Sequence, residues 1–374
     1  MNTGYHLTLL VGPTVPVPVP KPVLEALDSV EVHTAAGERS GFELSFKISQ
    51  KSVLHTLLSL VPAQVPWLRV MIIVTVAGTP HVLMDGLVTQ QRLSPGSQPG
   101  ESTFAITGED LSVAMDQQEF NGLPYPALPH EARVALIVAK YAMFGMIPLV
   151  IPAIFKDVAV PVERYPSHQG TDLGYLTQLA DEVGHVFYVE PGPLPGMNTA
   201  YWGPQIKVGI PQPALNGDMD FARNTESLSF EFNNTQREMP VIFIQNPQTK
   251  APIPIPIPDI GPLNPPLGLV PPLPSKFKFM KETAKLSPMA ALGKGIAAAA
   301  GSADAVTGSG SLDVTRYGRL LKARGLVGVR GVGPSFDGLY YVKKVTSTLK
   351  RGEFKQNFSL TRNGLVSITP AVPT

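Results

Sequence analysis

The sequence predicts an α+β fold that is mainly β, with two β-domains flanking a small mixed α/β domain and a proline-rich, helical insertion in the second. Three observations predict it. Near the front, Phe42, Leu44, Phe46 and Ile48 alternate with Glu43, Ser45, Lys47 and Ser49, the period-two pattern of a strand with one face buried. In the middle, apolar residues recur instead at helical spacing. Finally, one phrase occurs twice: Asp85-Gly86-Leu87 is followed, fifteen residues after the Asp, by Gly100-Glu101 and then Phe104 to Thr107. Asp337-Gly338-Leu339 is followed at the same distance by Gly352-Glu353 and then Phe358 to Thr361. Each glycine marks a tight turn or bulge, so the echo reads as one β-unit used twice. Two ordinary hairpins built on common turn pairs are the competing reading.

Taken in order, the first β-domain covers 1–116, with strands at Ser40 to Ser49, Leu68 to Val76, His81 to Thr89 and Ser102 to Thr107. The mixed domain covers 117–222. A helix over His130 to Phe144 carries Val134, Ile137, Val138 and Tyr141 on one side, follows Pro129 and stops before Gly145. A second begins at Thr171, whose hydroxyl can cap free N–H groups, buries Leu173, Leu176, Leu179 and Ala180, and ends at Gly184 before a strand over His185 to Glu190. The last β-domain is split into 223–250 and 325–374, with strands at Ser227 to Phe232 and Val241 to Ile244 and a strand Phe354 to Thr361 that puts Phe354, Phe358 and Leu360 on one face. Its other face, Glu353, Lys355, Asn357 and Ser359, is expected to meet solvent or a lumen.

The interruption, 251–324, opens with ten prolines between Ala251 and Pro274, which fix φ and remove backbone donors. This predicts an extended segment that is no central strand, read first as a semi-rigid spacer and second as a recognition motif. Lys276 to Lys294 and Ala297 to Ala300 read as helical, Gly308-Ser309-Gly310 as a flexible joint, and Leu312 to Ala323 as a further helix with Lys322 and Arg324 near its C-terminal end.

Composition narrows the function. With 374 residues and 44% hydrophobic content the chain can bury real cores. Thirty Lys and Arg balance 29 Asp and Glu, so no global field draws it to nucleic acid or an anionic membrane. There is no cysteine, which removes disulfides, thiolate metal ligation and thiol chemistry. Met1 to Pro20 lacks a basic start and an unbroken apolar core, so export by a signal peptide is not expected, and no segment reads as a membrane span.

Signatures of catalysis are missing too. The seven histidines (His6, His33, His55, His81, His130, His168, His185) lack a helical pair spaced for metal, and no cofactor or metal ligand set is expected. There is no nucleophile elbow. Gly293-Lys294-Gly295 lacks the rest of a phosphate loop, and Gly328 to Gly333 does not open a helix. The carboxylate pairs Glu109-Asp110 and Asp181-Glu182 suit a glycosidase in type but read more simply as surface acids.

The middle domain carries a recognisable pattern. Gly170-Thr171-Asp172-Leu173-Gly174-Tyr175-Leu176-Thr177-Gln178-Leu179-Ala180, then Gly184-His185-Val186-Phe187-Tyr188, then Ala200-Tyr201-Trp202-Gly203-Pro204 resembles the late control protein D family of contractile-tailed phages. That family includes baseplate hubs of contractile injection systems and is similar to the N-terminal part of the type VI secretion spike protein VgrG. Gly108 to Leu111 with Met115-Asp116, and Gly338 to Val342 with Phe358 to Gly364, agree with it.

The resemblance implies two tube-like β-barrels flanking the mixed domain, and a homotrimer whose six barrels adapt a six-fold inner tube above to a three-fold spike below. It implies inner tube, spike and other baseplate proteins as partners, assembly in the bacterial cytoplasm into a phage tail or injection particle, and no active site. The chain lacks the family's fused oligosaccharide-binding barrel and β-helix, which implies a separate spike. The insertion is expected to strap a neighbouring subunit. A hub-associated enzyme of cell-wall penetration, and a proline-rich arm that recruits cargo, are the alternatives.

Overall fold

The computed structural model describes residues 4–48, 67–96, 102–153, 167–219, 222–235, 237–245, 248–249, 251–257, 265–280, 288–301, 304–369 and 372. The front unit runs β1 (Tyr5–Gly12), β2 (Val17–Pro18), α1 (Lys21–Ala26), β3 (Leu27–Ala35), β4 (Gly41–Ile48), β5 (Arg69–Val76), β6 (Thr79–Ser94) and β7 (Ser102–Asp110). A 3-10 turn, Leu111–Asp116, leads into the mixed unit of α2 (His130–Ala139), β8 (Met146–Val150), α3 (Asp172–Val183), β9 (Val186–Pro191) and β10 (Asn198–Gly203). The rest comprises β11 (Gln212–Asn216), β12 (Ser227–Phe232), β13 (Glu238–Gln245), β14 (Pro252–Pro256), β15 (Gly268–Val270), β16 (Lys276–Phe279), α4 (Pro288–Gly301), β17 (Val306–Asp313), α5 (Val314–Tyr317), β18 (Leu326–Arg330), β19 (Gly338–Lys350), β20 (Glu353–Arg362) and β21 (Leu365–Ser367).

Front and rear strands belong to one thirteen-stranded sheet, in the order β12-β17-β20-β19-β3-β4-β7-β6-β5-β1-β2, with β18 paired to β19 and β11 to β18. The join is the antiparallel pairing of β3 with β19, from Ala35 opposite Lys344 to Ser29 opposite Lys350. A single core therefore spans both units: Phe42, Leu44 and Phe46 from the front pack in the same cluster as Phe354, Phe358 and Leu360 from the rear. The alternation in β4 is why. Its four apolar side chains are buried, which pins the register, since a one-residue slip would turn all four to solvent. Among the described residues this sheet is an open path, and no barrel closes within one chain.

Both echo hairpins are antiparallel, and each carries one irregularity in its first strand: between Val88 and Gln90 in β6 and between Val342 and Lys344 in β19. Gly352 turns the rear hairpin at φ +81°, a region that favours glycine. Gly100, its counterpart, lies outside the described residues.

The rear of the chain corrects two expectations. Gly308-Ser309-Gly310 is no joint but the middle of β17, paired on both sides by β12 and β20. A Cβ at Gly308 would lie 2.6 Å from the Phe230 ring, and one at Gly310 2.4 Å from the Ser227 carbonyl and 2.7 Å from the Phe358 ring. These glycines let aromatic side chains of neighbouring strands lie across the backbone. The helix expected over Leu312 to Ala323 is a single turn, α5, capped by the Asp313 carboxylate, because Leu312 and Asp313 are already taken by the ladder with β20. The rear unit thus resumes at Val306, inside the stretch read as insertion.

The remaining insertion pairs with strands on either side of it: Gly268–Val270 lies antiparallel to β21, and two other segments flank β13, whose Val241 to Ile244, expected in the second β-domain, stand outside the large sheet. Pro252–Pro256 is the edge strand of a three-stranded sheet, β14-β13-β16, and Lys276–Phe279, expected to be helical, is its other edge. Ile242, Ile257, Ala291 and Ala299 form a small core of their own beneath α4.

Candidate functional site

The polar chemistry of the chain concentrates where its three units meet. Arg69 in β5 is 3% exposed and Asp85 in β6 is 1% exposed. The guanidinium grips the carboxylate twice, Nε to Oδ1 and Nη2 to Oδ2, both at 2.7 Å. Asn198 of β10 donates to the same carboxylate at 2.8 Å, and both Arg69 and Asn198 donate to the Phe144 carbonyl. A buried pair is stable only when its remaining lone pairs and protons are engaged, and here the mixed unit engages them. The turn that delivers Phe144 needs Gly145, at φ +74°, where a Cβ would sit 1.9 Å from the Gly196 carbonyl. The clamp therefore locks the front sheet to the mixed unit through residues from four separate segments.

The echo residues do different work in the two units. Asp85 is the buried anion of this clamp, whereas Asp337 accepts from the Val332 N–H through its carboxylate and from Arg362 through its carbonyl. Arg362, fully buried, is held by the carbonyls of Gly364, Asp337 and Ser335 and lies 4.4 Å from the Tyr340 ring centre; burial lowers its pKa. Gly86 passes so close to Glu109 that a Cβ would lie 2.2 Å from its carbonyl oxygen, and Gly338, at φ +127°, abuts Ser367.

Helix α3 forms a second junction. Thr171 accepts from the Gly174 N–H and donates to Asp116, at the end of the front unit, at 2.7 Å. Arg39, on the turn after β3, reaches both Asp116 and Glu109. Burial pushes the Asp116 carboxyl up, but the hydrogen bonds from Thr171 and Arg39 outweigh it and the net shift is downward. Asp172 is fully buried and takes Lys140 through both oxygens and the Tyr141 hydroxyl at 2.8 Å. His168 lies 3.5 Å from Asp172, a carboxylate four residues along that the sequence reading overlooked. Leu173, Leu176 and Leu179 fill the mixed core with Trp202, and Gly184 closes the helix at φ +75°. Gly203 ends β10 with the Tyr201 hydroxyl 2.7 Å from where its Cβ would be.

One residue touches all three units, and sequence reasoning missed it. Arg324 lies just before β18, at φ +64°, donates to the Ala35 carbonyl at 2.8 Å and to Ser40, and stacks 3.9 Å from the Tyr188 ring centre of β9. The one available signal, its place at the end of a supposed helix, pointed to a dipole role instead.

A cleft of about 630 Å³ opens beside this joint, between the Gly37 to Arg39 turn and α3. It brings Asp110 and the Asp181-Glu182 pair into one lining. Burial raises the Asp110 pKa, yet both its oxygens already accept backbone N–H groups, from Ser40 and Ser112. Glu182 is bound by His130 and Gln178. These hydrogen bonds fix the ends of strands and helices. Among the described residues no group of three His, Asp or Glu is placed to hold a metal ion, and no helix is long and apolar enough to cross a membrane.

No family model matches the sequence, and no curated protein does. Solved structures do match. A tail protein from Neisseria meningitidis superposes with a TM-score of 0.64 at 15% identity, over 97% of this chain and 98% of that one. The fold is that of phage tail proteins. A 43 kDa tail protein of a Shewanella oneidensis prophage gives 0.59 at 14% identity, over 96% and 98%. An Escherichia coli component of the type VI secretion system, described as similar in structure to bacteriophage tail proteins, gives 0.52 at 12%, over 93% and 76%. The chain thus shares its fold with phage tail and type VI secretion proteins, in agreement with the family resemblance of its sequence.

Proposed function

We propose that this protein is the structural baseplate hub of a contractile injection machine, a homotrimer that adapts a six-fold inner tube to a three-fold spike. The observation that carries the reading is the β3–β19 ladder: it sets two hairpin-bearing β-units side by side in one sheet, so three chains supply six. Tube-like barrels would then be completed between subunits. The interlocked joint fits the task, because a part that transmits thrust from tube to spike must resist shear between its units, and buried clamps with well-packed sheets do that without moving parts. Inner tube above, spike below and other baseplate proteins around are the partners, with assembly in the bacterial cytoplasm into a phage tail or injection particle.

Light scattering on the purified protein tests this. The mass expected is three times that of the chain, rising when a cognate spike is added; a stable monomer that ignores the spike would sink the reading. The competing enzyme reading draws on the acidic cleft, but those of its carboxylates with mapped partners already serve the fold. A zymogram on peptidoglycan is expected to stay uncleared.

A further inference from the structure

The two edges of the small sheet β14-β13-β16 differ chemically, and the difference points to a binding edge. On β14, the Ile257 N–H donates to the Pro240 carbonyl. Backbone groups alternate in direction along a strand, so Ile253 and Ile255 also face β13 while Pro252, Pro254 and Pro256 face outward. Proline has no N–H, so this edge offers an incoming strand no donors and is closed to pairing. On β16, the Met280 N–H donates to the Val241 carbonyl. By the same alternation Lys278 faces β13, and Phe277 and Phe279 direct their N–H and C=O groups outward. No other strand lies on that side among the described residues.

The side chains at this edge have a sign and a pattern. Phe277 and Phe279 are each 61% exposed on one face, where Phe279 stacks on Phe243 at 5.9 Å. That face is opposite the one that Ile242 and Ile244 turn toward α4, so the edge is not part of the insertion's core. Lys276 and Lys278 share the other face, with Glu238 bound to Lys278 at 3.3 Å. All four residues of β16 are exposed.

We propose that β16 is a strand-addition site that takes an extended segment of a partner protein in which apolar and acidic residues alternate. The open backbone edge dictates an extended occupant, since only a strand matches its donors and acceptors in spacing. The two lysines on one face and two phenylalanines on the other dictate its alternation, acids to the first and apolar side chains to the second. The proline edge leaves the occupant a single side on which to add.

The test uses the full-length protein and a fluorescently labelled synthetic peptide of alternating valine and glutamate, read by anisotropy, beside a valine–lysine peptide of the same length. Saturable binding of the glutamate peptide is expected, with the lysine peptide about tenfold weaker or worse. Phe277→Pro with Phe279→Pro, which copies the β14 device onto β16, should weaken binding by about tenfold or more through loss of two outward donors. Lys276→Glu with Lys278→Glu, at exposed positions, should reverse the preference between the peptides, with circular dichroism unchanged from the parent. Equal binding of the two peptides, no binding of the glutamate peptide, or a preference unchanged by the charge swap would overturn the proposal.

Discussion

Asp85 and Arg69 show how much a single side chain can carry. Removing the carboxylate leaves a guanidinium buried with only carbonyl partners, so Asp85→Ala is expected to cost about 3–5 kcal/mol, far more than a surface pair is worth. Urea denaturation followed by circular dichroism would measure it. Arg324→Ala loses the hydrogen bonds to Ala35 and Ser40 and the stack on Tyr188, and a loss of about 1–3 kcal/mol is expected in the same assay. Histidine gives a pH signature. Burial lowers the His185 pKa from 6.5 to about 4, so the unfolded chain takes up a proton in an interval where the folded chain does not. Stability from this residue is therefore complete above pH 6.5 and falls as the pH drops, by about 3 kcal/mol at pH 4. His168, lowered by burial as well, acts in the same direction. His185→Gln should lose less stability between pH 7 and pH 4.5 than the parent, read from urea midpoints at the two pH values.

Among elements, those with local signals were legible in the sequence and those set by tertiary pairing were not. Strand β4 and helix α3 announce themselves through period and caps: Phe42 to Ile48 alternate, and Thr171 and Gly184 bracket one amphipathic run. Strand β17 carries the opposite local message. Glycine and serine spell a loop, yet Ser227 meets Ser311 and Ser229 meets Ser309 hydroxyl to hydroxyl across the ladder, and two aromatic rings fill the glycine gaps. None of that is visible without the neighbouring strands. The same contacts predict that Gly310→Ala, which puts a methyl group against the Ser227 carbonyl, costs about 1–3 kcal/mol and lowers the melting temperature measurably. The joint was legible only in part: Asp85 stood out through the echo, but Arg69, Asn198 and Arg324 come from remote segments, and only the fold brings them together.

For the whole molecule, the two echo segments do not share their chemistry: Asp85 lies within β6 and Asp337 just before β19, and the two have different partners. What unites front and rear is the ladder of β3 with β19, a contact more than 300 residues apart in sequence that no local pattern announces. It joins two β-units in one sheet, and in the proposed hub it would make each chain a double building block. Electron microscopy of the purified particle tests that claim most directly. Averaged end-on views should show a closed ring with three-fold symmetry and six similar lobes around a central channel. A two-fold dimer, an open filament, or a ring with only three lobes would contradict it.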